Sequence, residues 1–176
     1  MANWIAVALV CLVCTVRVPV RPSMHVRSTN RQMLELLDVG WRRSAIFRSM
    51  VEALERSNVI VYVEPSTEMS GGGLRFAAGP AQARYLRVLV NPAKDTDQLL
   101  ALIAHELQHG VEVAQATDVV DDFSFVASFA RIGRSHCGER RRCYETIAAV
   151  DIGARTYREL CGRSVPEEGL ACQIRR

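Results

Sequence analysis

Between Asp97 and Ala116 the chain carries a segment with few ways to fold other than as a helix sunk into the middle of a domain. Its first half, Leu99-Leu100-Ala101-Leu102-Ile103-Ala104, is apolar on every side, which a surface helix would not tolerate. Asp95 or Thr96 can accept the free amides of the first turn, and Asp97 suits its positive end. Such a helix needs cover on more than one side, and the preceding residues offer it. Val59-Ile60-Val61-Tyr62-Val63 is β-branched or aromatic on both alternating faces and predicts an interior strand stopped at Pro65. Arg84 to Val90 predicts a second strand ended by Asn91-Pro92. Gly71-Gly72-Gly73 opens a weaker extended segment between them, Leu74 to Ala78, and Gly79-Pro80 turns the chain.

The remaining segments complete an α+β pattern. Ser44 to Arg56 places Ile46, Phe47, Met50, Val51 and Leu54 at helical spacing. Gln32 to Leu37 predicts a short helix ending near Gly40, and Pro22 to Asn30 reads as irregular. After the central helix comes a loop from Thr117 to Asp122, then Phe123 to Ile132, whose type the pattern leaves open. A last helix is predicted from Tyr144 to Leu160. With 176 residues, the chain is the size of one domain. The expectation is a single domain over residues 22–176, preceded at 1–21 by a signal peptide or short N-terminal anchor.

That leader is read from the apolar run Ile5 to Val16, shorter than the ~20 residues a spanning helix needs. Arg17 and Arg21 follow it and would suit an inward-facing anchor if it stayed uncleaved. Export, to the periplasm or outside the cell, is the expectation. Cysteine use agrees. Cys11 and Cys14 fall in the run, and Cys137, Cys143, Cys161 and Cys172 all fall late, an even set suited to two disulfides of open connectivity. A four-thiolate metal site ranks lower, because no C-x-x-C pair is present. The net charge of +3 is spread along the chain apart from Arg140-Arg141-Arg142, so a nucleic-acid partner is not expected.

The chemistry concentrates in His105-Glu106-Leu107-Gln108-His109. Two histidines four apart on a helix share one face and can hold one metal ion. Glu106 lies about a quarter turn away, placed to take a proton from a water at an open metal position. The bland alternative is a pair of surface histidines beside a salt-bridging glutamate.

These residues resemble the zincin metallopeptidases, and among them the gluzincins. The similarity spans roughly Val59 to Leu160. It rests on the strand–strand–strand–helix order, the H-E-x-x-H helix and the run Glu145-Thr146-Ile147-Ala148-Ala149. It departs from the metzincins, since Glu112 stands where those need a glycine and no third histidine follows. The resemblance implies a short mixed β-sheet packed on the metal-binding helix and a later ligand helix, with one Zn2+ per chain held by His105, His109 and a carboxylate from that later helix. It also implies that Leu74 to Ala78 is the sheet edge beside a cleft, where a peptide can pair by strand addition.

For the third ligand Glu145 is favoured, because its helical face would continue through Ala148, Ala149, Ile152 and Thr156. Asp151 shares a face with Ala154, Arg155 and Arg158 and reads as a solvated ion pair. Glu112 fits a supporting role, and Asp118, Asp121 and Asp122 remain as loop acids. His136, Tyr144, Tyr157 and Arg158 are candidates for a donor to a developing oxyanion, and His25 is given no role. The expectation is a zinc-dependent peptidase acting on a peptide or protein substrate, with Glu106 as general base. Two other readings stay open: an exported zinc-binding protein with structural or vestigial ligation and no turnover, and a metal-free interaction domain. Oligomeric state is not legible.

Overall fold

The computed structural model describes residues 23–68, 71–79, 82–135 and 144–162. The leader, His136, Cys137, the Arg140-Arg141-Arg142 cluster, Cys143 and Cys172 lie outside these residues, and so do the expectations placed on them. Cys161 forms no disulfide with any described residue.

Alternation of β-branched residues makes β2 (Val59–Pro65) and β4 (Arg84–Val90) a parallel pair, with Val61 opposite Leu86. Val26–Arg27 adds β1 alongside β2, and Gly72–Ala78 adds β3 antiparallel to β4. The sheet is therefore mixed, ordered β1-β2-β4-β3, and β3 is an edge. The α+β expectation holds. Two details of the sheet differ from it. Pro22 to Asn30 is not wholly irregular, because Val26 and Arg27 extend the sheet. His25 also has work there: its carbonyl accepts from Val61 N at 2.7 Å and its ring Nδ1–H donates to the Val59 carbonyl at 2.9 Å. β2 is interior by pairing but not covered on both faces. Val59, Val61 and Val63 are fully buried under the helices, whereas Ile60 and Tyr62 on the other face are only half-buried.

α1 (Arg31–Arg43) and α2 (Ala45–Glu55) lie on the buried side with α3 (Thr96–Gln115). α1 runs past Leu37 and through Gly40, which is not a stop. A Cβ there would stand 2.8 Å from Leu100 Cδ2, so this glycine lets α1 seat against the central helix. Asp95 caps α3, accepting from Gln98 N at 2.9 Å. The far end of α3 is closed by a buried arginine from β4. Arg84 donates to the carbonyls of Val113 at 2.6 Å and Ala116 at 2.7 Å, supplying the charge and donors that a helix C-terminus lacks.

Phe123 to Ile132, left open by the pattern, lies within α4 (Asp122–Ile132), whose Asp121 and Ser124 form a capping box. The expected helix from Tyr144 starts later. Tyr144–Glu145 is β6, paired antiparallel with β5 (Arg134–Ser135), and α5 runs from Ile147 to Leu160 with Thr146 as its N-cap. α5 lies along α3 in the most extensive helix–helix contact of the fold. Its buried stripe of Ala149 and Thr156, with Gly153 between, is small enough to permit close approach. No helix among the described residues is long and apolar enough to cross a membrane.

Candidate metal centre

One turn of α3 points two imidazoles at the β6–α5 junction. His105 Nε2 lies 3.0 Å from Glu145 Oε1, and His109 Nε2 lies 3.3 Å from the same oxygen. The three ligand atoms all fall within 4.8 Å of one another. In a tetrahedral site with bonds near 2.0 Å, neighbouring donors stand roughly 3.3 Å apart. The two nitrogen–oxygen separations match that edge. The donors also suit a divalent cation, since two neutral imidazoles and one carboxylate leave a further coordination position open. His105, His109 and Glu145 can therefore hold a metal ion.

Glu145 reaches this point by another route than expected. It stands on β6, two residues ahead of α5, so the face argument through Ala148 does not apply, and Ala148 is exposed. The pattern misread the boundary because Tyr144 and Glu145 keep the helical spacing of the apolar residues after them. The signal that could have corrected it is Thr146, a favoured N-cap whose side chain accepts from Ala149 N at 3.2 Å. Among the alternatives, Asp151 is exposed and paired with Arg155 at 3.3 Å, as expected. Asp118 pairs with Arg131 at 2.8 Å, Asp121 caps α4, and Asp122 lies exposed in the first turn of α4. None of the three loop acids joins the cluster.

Around the ligands the contacts are dense. His109 donates Nδ1–H to Glu112 Oε2 at 2.8 Å, which turns Nε2 toward the centre. The other Glu112 oxygen accepts from Thr146 Oγ1 at 2.6 Å. One carboxylate thus joins the metal helix to the residue after Glu145. Phe129 of α4 packs edge-on to the His109 ring, centroids 5.2 Å apart. At Gly153 a Cβ would stand 3.2 Å from His105 Cβ, so glycine permits α5 to cross over His105. At Gly72 a Cβ would stand 3.0 Å from Glu106 Oε1, so the edge strand passes directly beside that carboxylate. Thr146, Gly153, Gly72 and Phe129 carry no mark of this in the linear pattern.

The electrostatics follow from burial. Glu106 is 5% exposed, and loss of solvent raises its pKa despite the nearby imidazoles. Burial opposes charge on His109, but the bonds to Glu112 and Glu145 and the Glu106 charge outweigh it and push the ring to about 9. Burial likewise opposes charge on Glu145, yet hydrogen bonds to both histidines hold its carboxyl at about 2. A cation between them would replace the shared proton as the partner of that carboxylate.

Of the oxyanion candidates, Tyr144 is half-buried on β6 and Arg158 turns back to donate to the Ala154 carbonyl at 3.2 Å. Tyr157 is half-buried on α5. No protein-family model, curated protein or solved structure matches the chain.

Proposed function

We propose that this chain is a zinc-dependent metallopeptidase, with His105, His109 and Glu145 as ligands and Glu106 as general base. The observation that carries the reading is the convergence of both Nε2 atoms on one Glu145 oxygen, beside the buried Glu106 carboxylate, which forms no ion pair with any described residue. A site of purely structural purpose favours a closed fourth ligand, and the described residues offer none. When bound, zinc supplies a Lewis acid that polarises a carbonyl and acidifies a water.

The chain's own residues do the rest. Glu106 takes the proton of the attacking water and returns it to the leaving nitrogen, so the peptide C–N bond breaks with no net change at the carboxyl. Glu112 holds the His109 tautomer. The unpaired edge of β3 offers backbone groups for an extended substrate, and Gly72 brings that edge next to Glu106. Export, with the apolar N-terminal run serving as a signal peptide or a short anchor, belongs to the same proposal.

The purified full chain should carry about one zinc per molecule by mass spectrometry of the metal. His105→Ala, His109→Ala and Glu145→Ala should each lose it. Glu106→Gln should keep the zinc and lose peptidase turnover by about a hundredfold or more. Wild-type protein that stays metal-free at micromolar zinc and neutral pH removes the proposal. Turnover of Glu106→Gln near the wild-type rate removes Glu106 from its role.

A further inference from the structure

Beside Glu145 lies a shallow pocket of about 230 Å³ formed by Arg134, Thr146, Ile147 and Val150. Its walls are apolar and left open: Ile147 is 73% exposed and Val150 47%. The volume is below the ~300 Å³ at which pockets begin to enclose a whole small molecule, and suits one side chain. Arg134 supplies the charge. It is the cross-strand partner of Glu145 in the β5–β6 ladder, so the two side chains rise from the same face of the hairpin. Glu145 is turned inward to the histidines, and no described residue forms an ion pair or hydrogen bond with the Arg134 guanidinium. Nothing in the proposed reaction uses this cation. A fork of donors beside an apolar recess and next to a metal position complements one chemical form: an apolar residue that carries a carboxylate.

We propose that Arg134, Ile147 and Val150 form a subsite for the C-terminal residue of a peptide substrate. The terminal carboxylate sits on Arg134 and the apolar side chain lies between Ile147 and Val150. The inference rests on the metallopeptidase reading and narrows its substrate class to peptides cut close to a free C-terminus. Water then adds across the last C–N bonds, its hydroxyl going to the carbonyl carbon and its proton to the nitrogen of the released residue.

Binding is read by calorimetry on the full chain, both zinc-loaded and metal-free, with N-acetyl-leucine, N-acetyl-leucinamide and the α-amide of N-acetyl-aspartate as probes. Wild type should bind N-acetyl-leucine about tenfold to a hundredfold more tightly than its amide. Arg134→Gln should abolish that preference in both metal states with zinc content unaltered, and Arg134→Lys should restore part of it. Ile147→Ser should weaken the leucine probe. In the same preparations, kcat/KM is compared for two peptides that differ only in a free or amidated C-terminus. The free acid should be favoured, and Arg134→Gln should remove the advantage chiefly through KM.

Equal affinity for acid and amide, or a preference that survives Arg134→Gln, overturns the subsite. An aspartate α-amide that binds as well as the free leucine acid overturns the assignment to a chain terminus. If the Arg134-dependent preference holds and neither peptide is cut, the subsite stands and the peptidase reading falls. If both peptides are cut without regard to Arg134, the reverse follows.

Discussion

Glu112 sits between the two halves of the candidate metal centre without entering it. One oxygen fixes the His109 ring and the other holds Thr146, the neighbour of Glu145. Loss of such a partner lowers metal affinity by about 10–100-fold in comparable sites. Glu112→Ala should weaken zinc binding in that range, measured by competition with a chromophoric chelator. Glu112→Gln should fall between, because its single carbonyl oxygen can accept from only one of the two donors. An unchanged affinity in Glu112→Ala would show that packing alone orients His109. Gly153 acts by absence. An alanine Cβ would press to 3.2 Å from His105 Cβ, which sits at the root of its side chain and does not swing aside as a tip would. Alanine adds up to ~1 kcal/mol of helix propensity, so the thermal midpoint should hardly drop. Zinc affinity should still fall by about tenfold, since a ligand set tolerates only ~0.5 Å of displacement. An affinity within twofold of wild type would mean that α5 has slack.

At the scale of elements, the site depends on α5 staying in place, and Glu159 anchors it. Its carboxylate accepts from Ser44 Oγ at 2.6 Å, Ala45 N at 2.7 Å and Ile46 N at 3.2 Å, the open amides at the start of α2. Ser44 serves the next amide, Phe47 N, at 2.9 Å. Partial burial opposes the Glu159 charge, but these hydrogen bonds win and hold its pKa below the usual value. A carboxyl depressed on folding adds stability above its unfolded pKa and loses it as pH falls through the folded one. Glu159→Gln should therefore unfold at a lower temperature than wild type at neutral pH, by about 2–4 °C for a capping contribution near 1 kcal/mol. The gap should narrow as pH falls below the ordinary carboxylate range and through the lowered folded pKa of Glu159. A gap of the same size at neutral pH and in strong acid would mean packing, not charge, is what the substitution removes.

Across the whole molecule, α3 touches the sheet on one side and α5 on the other, so a metal held by α3 and β6 clamps elements far apart in the chain. Binding to the folded state alone stabilises it by about 4 kcal/mol when free zinc is a thousandfold above Kd. For a domain of this size that is roughly 8–16 °C. Zinc should raise the melting temperature of wild type and of Glu106→Gln by similar amounts, and that of His105→Ala by little. Equal rises in all three would place the ion elsewhere.

The buried helix and its two histidines were legible in the sequence because helical period, capping by Asp95 and ligand spacing are all properties of residues within a few turns of one another. β4 was read with its true bounds for the same reason: alternation and an Asn-Pro stop are local. Glu145 was singled out from the sequence and does lie against both histidines, but its element was misread, since a strand of two residues before an N-cap leaves too short a pattern to separate from the helix that follows. The bare second face of β2 and the continuation of α1 through Gly40 were beyond local reading, because what covers a strand or fills the space beside a glycine arrives from elsewhere in the chain. So it is with the centre itself. Residue types and helical spacing could name His105, His109 and Glu145. Only tertiary packing, through small residues on α5, an edge strand without a side chain at Gly72 and a carboxylate bridge from Glu112, brings their ligand atoms to within 4.8 Å of one another.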